Sequence, residues 1–187
     1  MKRFKLVLIT SLLIVSCKSS QSPKYSTEPM EVETLIGEEG ETVVLGFMNR
    51  ANLNTDEFMA WFHPEYEMLN IPEGWIKEHV SLAKNLEFKL FLGTWCGDTQ
   101  REVGGMFKIL DALGVSEKQM EIYAISEAKD SPLGYEKKYN ILNIPTLIFF
   151  ENGRENNRIV EFPVESMIED FSKILKKEAY EDAYADF

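Results

Sequence analysis

The sequence predicts an α/β fold: a mixed central sheet flanked by helices, with an additional strand and helix on its amino-terminal side. Three observations predict it. Short apolar runs alternate with helix-length segments between residues 42 and 139, and strand–helix alternation is the pattern of a sheet with parallel neighbours. The apolar run 146–150 turns at Asn152-Gly153 and returns over 158–162, so an antiparallel hairpin follows. Finally, 164–177 carries Met167, Ile168, Phe171, Ile174 and Leu175 at helical spacing, which makes one apolar face to lay on the sheet.

Gly37-Glu-Glu-Gly40 is a turn signal ahead of the apolar strand 42–48. Asn54-Thr55-Asp56 starts a helix running into Phe58, Met59, Trp61 and Phe62, which Pro64 is expected to end or bend. After Pro72, the positions of Trp75, Val80 and 82–86 suggest a second helix. The density of apolar residues makes 86–92 a buried strand, and 97–113 is helical until Gly114 stops it. Residues 120–125 form another strand and 132–139 a short helix. There is no internal repeat. The tail 178–187 holds four acids, two Tyr and a terminal Phe, and is expected to be frayed or loosely docked.

Residues 1–16 read as a targeting segment rather than as part of the fold. Lys2, Arg3 and Lys5 precede an apolar-rich run over 6–15 that is too short to cross a bilayer comfortably. Ile14-Val15-Ser16-Cys17 resembles a bacterial lipobox, which implies lipidation of Cys17 as the new amino terminus; ordinary secretory cleavage leaving Cys17 as a thiol is the other reading. Acyl chains contribute about 0.8 kcal/mol per buried CH₂ and would anchor the chain to a membrane of the cell envelope. Residues 17–38 follow as the lipidated cysteine and a flexible tether, in part Ser/Pro/Lys/Gln-rich. Residues 39–177, about 150 residues with their immediate flanks, suit one domain with one core.

The net charge of −11 becomes −14 without 1–16, which carries three bases and no acids. That balance argues against nucleic-acid partners and suits an acidic monomer. Two cysteines exclude a disulfide scaffold. His63 and His79 lack the spacing and cysteine partners of a zinc site, so neither metal nor cofactor is expected.

Cys96 is the candidate nucleophile. It lies in Gly93-Thr-Trp-Cys-Gly-Asp-Thr99, where an apolar strand meets a helix, and the positive end of a helix favours an anion there. The run Trp95-Cys96-Gly97 resembles the active site of the thioredoxin family. Asn143-Ile144-Pro145-Thr146 resembles the family's cis-proline loop, and Phe150-Glu-Asn-Gly153 its hairpin turn. Over roughly 86–177 the resemblance implies a thioredoxin-like fold. It also implies a cis Ile144–Pro145 bond opposite Cys96, and a groove in which the backbone before Pro145 pairs with an extended client. Residues 45–70 are similar to the leading segment of certain bacterial thioredoxin-like proteins with Trp-Cys-Gly-Asp-Ser.

The departures from the family pattern are chemical. Thr99 stands where a second, resolving cysteine would be, and a hydroxyl cannot attack a mixed disulfide, although it could hydrogen-bond the sulfur of Cys96. Asp98 replaces a proline and adds a carboxylate at the positive helix end, unless it caps the helix instead. Gly104 replaces a proline that usually kinks this helix, which suggests a more mobile helix start. Leu90 replaces a buried acid that serves the missing cysteine.

Taken together, these features suggest a membrane-tethered thiol–disulfide exchange protein with one nucleophilic cysteine, acting on protein thiols or disulfides or on a low-molecular-weight thiol. A second reading is a non-catalytic client-binding module that uses Trp61, Phe62, Trp75 and the Tyr180, Tyr184 and Phe187 tail as aromatic surface. A third is thiol peroxidation, because Cys96-Gly-Asp-Thr99 also fits the Cys-Gly-x-Thr run of glutathione-peroxidase-like proteins, though no Trp-Asn-Phe motif follows.

Overall fold

In the computed structural model, which describes residues 26–185, six strands form one sheet in the order β1-β2-β4-β3-β5-β6. The strands are β1 (Glu33–Ile36), β2 (Thr42–Met48), β3 (Leu86–Leu92), β4 (Met120–Ala124), β5 (Thr146–Glu151) and β6 (Arg154–Val160). The helices are α1 (Met59–Met68), α2 (Glu73–His79), α3 (Gly97–Ala112), α4 (Tyr135–Lys138) and α5 (Met167–Lys176). This is a thioredoxin-like α/β architecture. The predicted signal segment, Cys17 and Phe187 lie outside the described residues. Among the described residues no helix is long and apolar enough to cross a membrane.

The hairpin forms where the Asn-Gly dipeptide places it. Asn152 and Gly153 both take positive φ, 53° and 74°, as a two-residue turn of this kind requires, so β6 begins directly at Arg154 rather than at 158. Strand direction differs from the expected parallel pattern. The β3–β4 pair is parallel, but β2 runs antiparallel to β4, with Gly46 opposite Ala124 and Met48 opposite Ile122. The long connection from β2 to β3 contains two helices, so the chain can return from either end of the sheet and alternation alone does not set the direction of β2. Residues 33–36, inside the segment whose composition reads as tether, pair with β2 as a fully exposed edge strand.

Helices α1, α3 and α5 cover one face of the sheet. Phe62, Val103, Met106, Phe107, Leu110, Phe171 and Ile174 meet Phe88, Leu90, Leu92, Leu147 and Phe149 there. Burying each large apolar side chain contributes about 1.5–3 kcal/mol, so this face supplies most of the stabilisation. Pro64 lies inside α1 without ending it. The lost backbone bond at Pro64 is offset by packing on α3, with Phe62 buried edge-on against Phe107 at 5.7 Å. Trp61 and Trp75 also pack against this core rather than forming a surface patch. Helix α2 stops at His79, a buried side chain that bridges the Trp75 carbonyl and Ser172 Oγ at 2.7 Å each.

The opposite face carries α4 and a second cluster of Phe91, Tyr123, Ile125, Ile141, Ile144, Ile148 and Phe150. Lys89 points into this face from the middle of an apolar strand. It pairs with Glu121 and lies over the Tyr139 and Phe150 rings, at 5.5 and 5.6 Å. The ammonium thus keeps both an anion and π-faces although its side chain is mostly covered.

Gly104 is a contact point rather than a hinge. A Cβ there would stand 2.6 Å from the Tyr66 amide nitrogen and 2.8 Å from the Phe62 carbonyl oxygen, so only glycine lets α1 rest on α3. Gly104→Ala is expected to destabilise the fold by about 1–3 kcal/mol in denaturant unfolding. Gly105→Ala, whose Cβ would meet Leu69 at an ordinary 3.8 Å, is expected to be neutral or to stabilise by up to about 1 kcal/mol.

The hydroxyls of Tyr66, Tyr123 and Tyr180 are held protonated above their ordinary value of 10.0. Tyr66 and Tyr123 are raised by burial and by donating to Asp111 and Glu121; Tyr180 is raised by burial and by the Asp170 charge. Because the raised groups favour the neutral folded form, their contribution is complete below pH 10 and fades as pH rises beyond it. Circular dichroism should therefore show alkaline unfolding above about pH 10, with a shallower pH dependence in Tyr180→Phe.

Candidate functional site

The site is built at the corner where β3 ends and α3 begins. Cys96 is the N-cap residue of α3, with extended backbone (φ −79°, ψ 125°), and its carbonyl accepts from Gln100 N–H at 3.0 Å. Its side chain makes no capping bond, so the sulfur sits beside the positive end of a sixteen-residue helix. Cys96 is partly exposed, and its thiol faces the Ile144 carbonyl oxygen at 3.5 Å. The Ile144–Pro145 bond is cis, as the resemblance implies. The structure therefore brings Trp95, Cys96, Ile144 and Pro145 together at one corner.

Four side-chain anchors hold the 93–96 segment. Thr94, almost fully buried, donates from Oγ1 to the Thr42 carbonyl at 2.9 Å and accepts from Val44 N–H at 3.2 Å. It thereby satisfies backbone groups of β2 beyond that strand's pairing with β4. Gln100 Nε2 donates to the Thr94 carbonyl at 3.0 Å. Trp95 Nε1 donates to the Ile125 carbonyl at 3.0 Å, which lays the indole against the Phe91–Ile144 cluster. Thr99 is completely buried, and its Oγ1 accepts from Gly93 N–H at 3.3 Å. The hydroxyl thus serves the backbone rather than the sulfur. Thr94 and Gln100 are positioning residues that the sequence reading missed; the Thr at the strand end gave no periodic signal.

Asp98 does not cap the helix. It pairs with Arg101, which also donates to Glu102 Oε1 at 2.9 Å. Burial raises Glu102 above the usual carboxylate range even though Arg101 acts to lower it. Gly97 leads α3 with open space around its missing Cβ. Thr146, buried, donates from Oγ1 to the Asn143 carbonyl at 2.6 Å and closes the loop that carries Pro145. Glu161 N–H donates to the Pro145 carbonyl at 2.7 Å and fastens the loop to the end of β6. Among the described residues no group of three His, Cys, Asp or Glu is placed to hold a metal ion.

The fold and site together define a thioredoxin-fold protein with a single cysteine at the strand-to-helix corner, opposite a cis-proline loop. No protein-family model matches the chain, and no curated protein does. Solved structures similar to it include a protein of unknown function from Pseudomonas aeruginosa, 14% identical over 64% of this chain and 72% of that one, with a TM-score of 0.42. Thioredoxin O2 from Arabidopsis thaliana in its oxidized state is 18% identical over 55% of this chain and 87% of its own, at a TM-score of 0.35. Mitochondrial thioredoxin 3 from Saccharomyces cerevisiae in its oxidized form is 14% identical over 51% and 86%, at 0.28.

Thr99→Val keeps the shape of the side chain and removes the acceptor for the buried Gly93 amide. A loss of about 1–3 kcal/mol is expected in chemical unfolding, the cost of one unsatisfied buried donor. An unchanged midpoint would place that amide against another acceptor.

Proposed function

We propose that this chain is a lipid-anchored thiol–disulfide exchange protein of the cell envelope that works through Cys96 alone. The observation that carries the reading is the placement of one partly exposed sulfur at a helix amino terminus, 3.5 Å from the carbonyl that precedes a cis-proline. A peptide lying along Ile144 would bring its own sulfur to Cys96, with Trp95 bordering the groove.

The chemistry balances with one protein thiol. Cys96 thiolate attacks a client disulfide, the client S–S bond breaks, a Cys96–client disulfide forms and one client thiolate departs. With Thr99 buried and engaged at Gly93, no second cysteine among the described residues completes the cycle. A second thiol, from the client or from a small-molecule pool, must then attack the mixed disulfide and regenerate Cys96. The proposed partners are accordingly protein disulfides or thiols and a low-molecular-weight thiol, and anchoring at Cys17 would confine them to one membrane surface.

Incubating the full chain with a disulfide-bonded peptide tests this. A covalent adduct is expected in non-reducing electrophoresis that persists until an external thiol is added and is absent in Cys96→Ser. Adduct formation no faster than with the urea-unfolded chain at neutral pH would defeat the proposal. Peptide capture that survives Cys96→Ser would mark a binding module instead.

A further inference from the structure

The carboxy-terminal segment after α5 is docked to the chain rather than frayed, and its path leads to the proposed client groove. Tyr180 is half-buried, and its hydroxyl donates to Asp170 Oδ2 at 2.9 Å. Asp170 is completely buried and also accepts from Val164 N–H at 2.7 Å and Glu165 N–H at 3.1 Å. One carboxylate therefore ties the tail to the β6–α5 loop. Asn157 Nδ2 donates to the Tyr180 carbonyl at 3.2 Å, which places the tail along edge strand β6.

Further on, Tyr184 hydrogen-bonds Glu161 and sets its ring 6.2 Å from Phe162. Glu161 is the residue whose amide holds the Pro145 carbonyl. The Tyr184 hydroxyl is pushed up to about 12 by that hydrogen bond, by burial and by the charges of Glu161 and Asp98. Through Glu161, Tyr184 thus stands beside the loop that carries Pro145. Asp182 and Tyr184 also line a cavity of about 460 Å³ with Leu142, Asn143 and Thr146 of the cis-proline loop.

From this geometry we infer that the segment around Tyr184 is an intramolecular strap, seated on the rim of the groove before Cys96, which a polypeptide client must displace. The inference rests on the thiol-exchange reading of the groove. A strap of this kind discriminates by size. Small reagents reach a partly exposed sulfur past it, whereas an extended peptide needs the place that Tyr184 holds. The part-buried hydrogen bond to Glu161 and the ring contact with Phe162 are each worth a small factor in an equilibrium.

The test compares two reagents on the full chain. One is iodoacetamide, which alkylates the thiolate and releases iodide. The other is an extended peptide whose single cysteine carries thionitrobenzoate. There Cys96 attacks the peptide sulfur, forms the mixed disulfide and releases the coloured thionitrobenzoate anion. Tyr184→Ala is expected to raise the peptide rate about ten-fold and to leave the iodoacetamide rate within about two-fold. Tyr184→Phe, which keeps the ring and loses the hydrogen bond, should fall between. Both substitutions are at one partly exposed residue outside the core, so the fold should survive either change. A peptide rate unchanged by both substitutions, with iodoacetamide still reacting, would overturn the strap and leave the exchange reading standing. Equal acceleration of both reagents would also overturn it, because the tail would then only shade the sulfur. A sulfur inert to both reagents in every form would end the exchange reading, and the strap with it.

Discussion

The site depends on the absence of one methyl group at the end of β3. A Cβ on Gly93 would stand 2.5 Å from Trp95 Nε1 and 2.8 Å from Ile144 Cδ1. Those two side chains belong to the Cys96 loop and the cis-proline loop, and they share the space that glycine leaves. Because they close over Gly93, the indole reaches the Ile125 carbonyl and the cis-proline loop comes within reach of the sulfur. The polar anchors then become necessary. Backbone groups drawn into so tight a corner lose water, and Thr94 and Thr99 supply the partners they would otherwise lack.

The two faces of the sheet are stabilised differently, and the site belongs to the less regular one. Three helices pack apolar side chains on one face, with α1 and α3 in contact at Gly104. Among the described residues the other face has the short α4, together with aromatic rings, loops and the Lys89–Glu121 pair, of which the lysine is mostly covered and the glutamate exposed. Trp95 and Cys96 pack against that second cluster. Helix α3 thus carries the cysteine from the strongly packed side, while the surfaces a client would meet come from loops on the other. Most remaining ion pairs are exposed and contribute little to stability; the partly buried Arg50–Asp111 pair, bonded also to Tyr66, fastens β2's end to α3 and α1.

On the proposed exchange reading, a single cysteine at this corner shifts control to the surroundings. A second thiol within the helix would release a client at high effective concentration; here Thr99 is given over to structure. The lifetime of any adduct would follow from which thiols are nearby, and access would follow from what lies over the groove. Both points of control sit outside α3.

What the sequence determined by itself is the set of elements whose signals are local. Leu86–Leu92 and Thr146–Glu151 are dense apolar strands, α3 and α5 have 3.6-residue periodicity, and Asn152-Gly153 dictates its own turn. The Cys96 and Pro145 loops were legible because short motifs mark them. Other features depended on tertiary partners. Strand β1 has four exposed residues and no periodic signal, so only its pairing with β2 makes it a strand. The direction of β2, the survival of α1 through Pro64, the turn of Thr99 toward Gly93 and the docking of Tyr180 and Tyr184 were likewise decided by contacts between residues far apart in the chain. The division is physical: backbone propensity and hydrophobic period act over a few residues, whereas close approach and the satisfaction of buried polar groups are set only when distant segments meet.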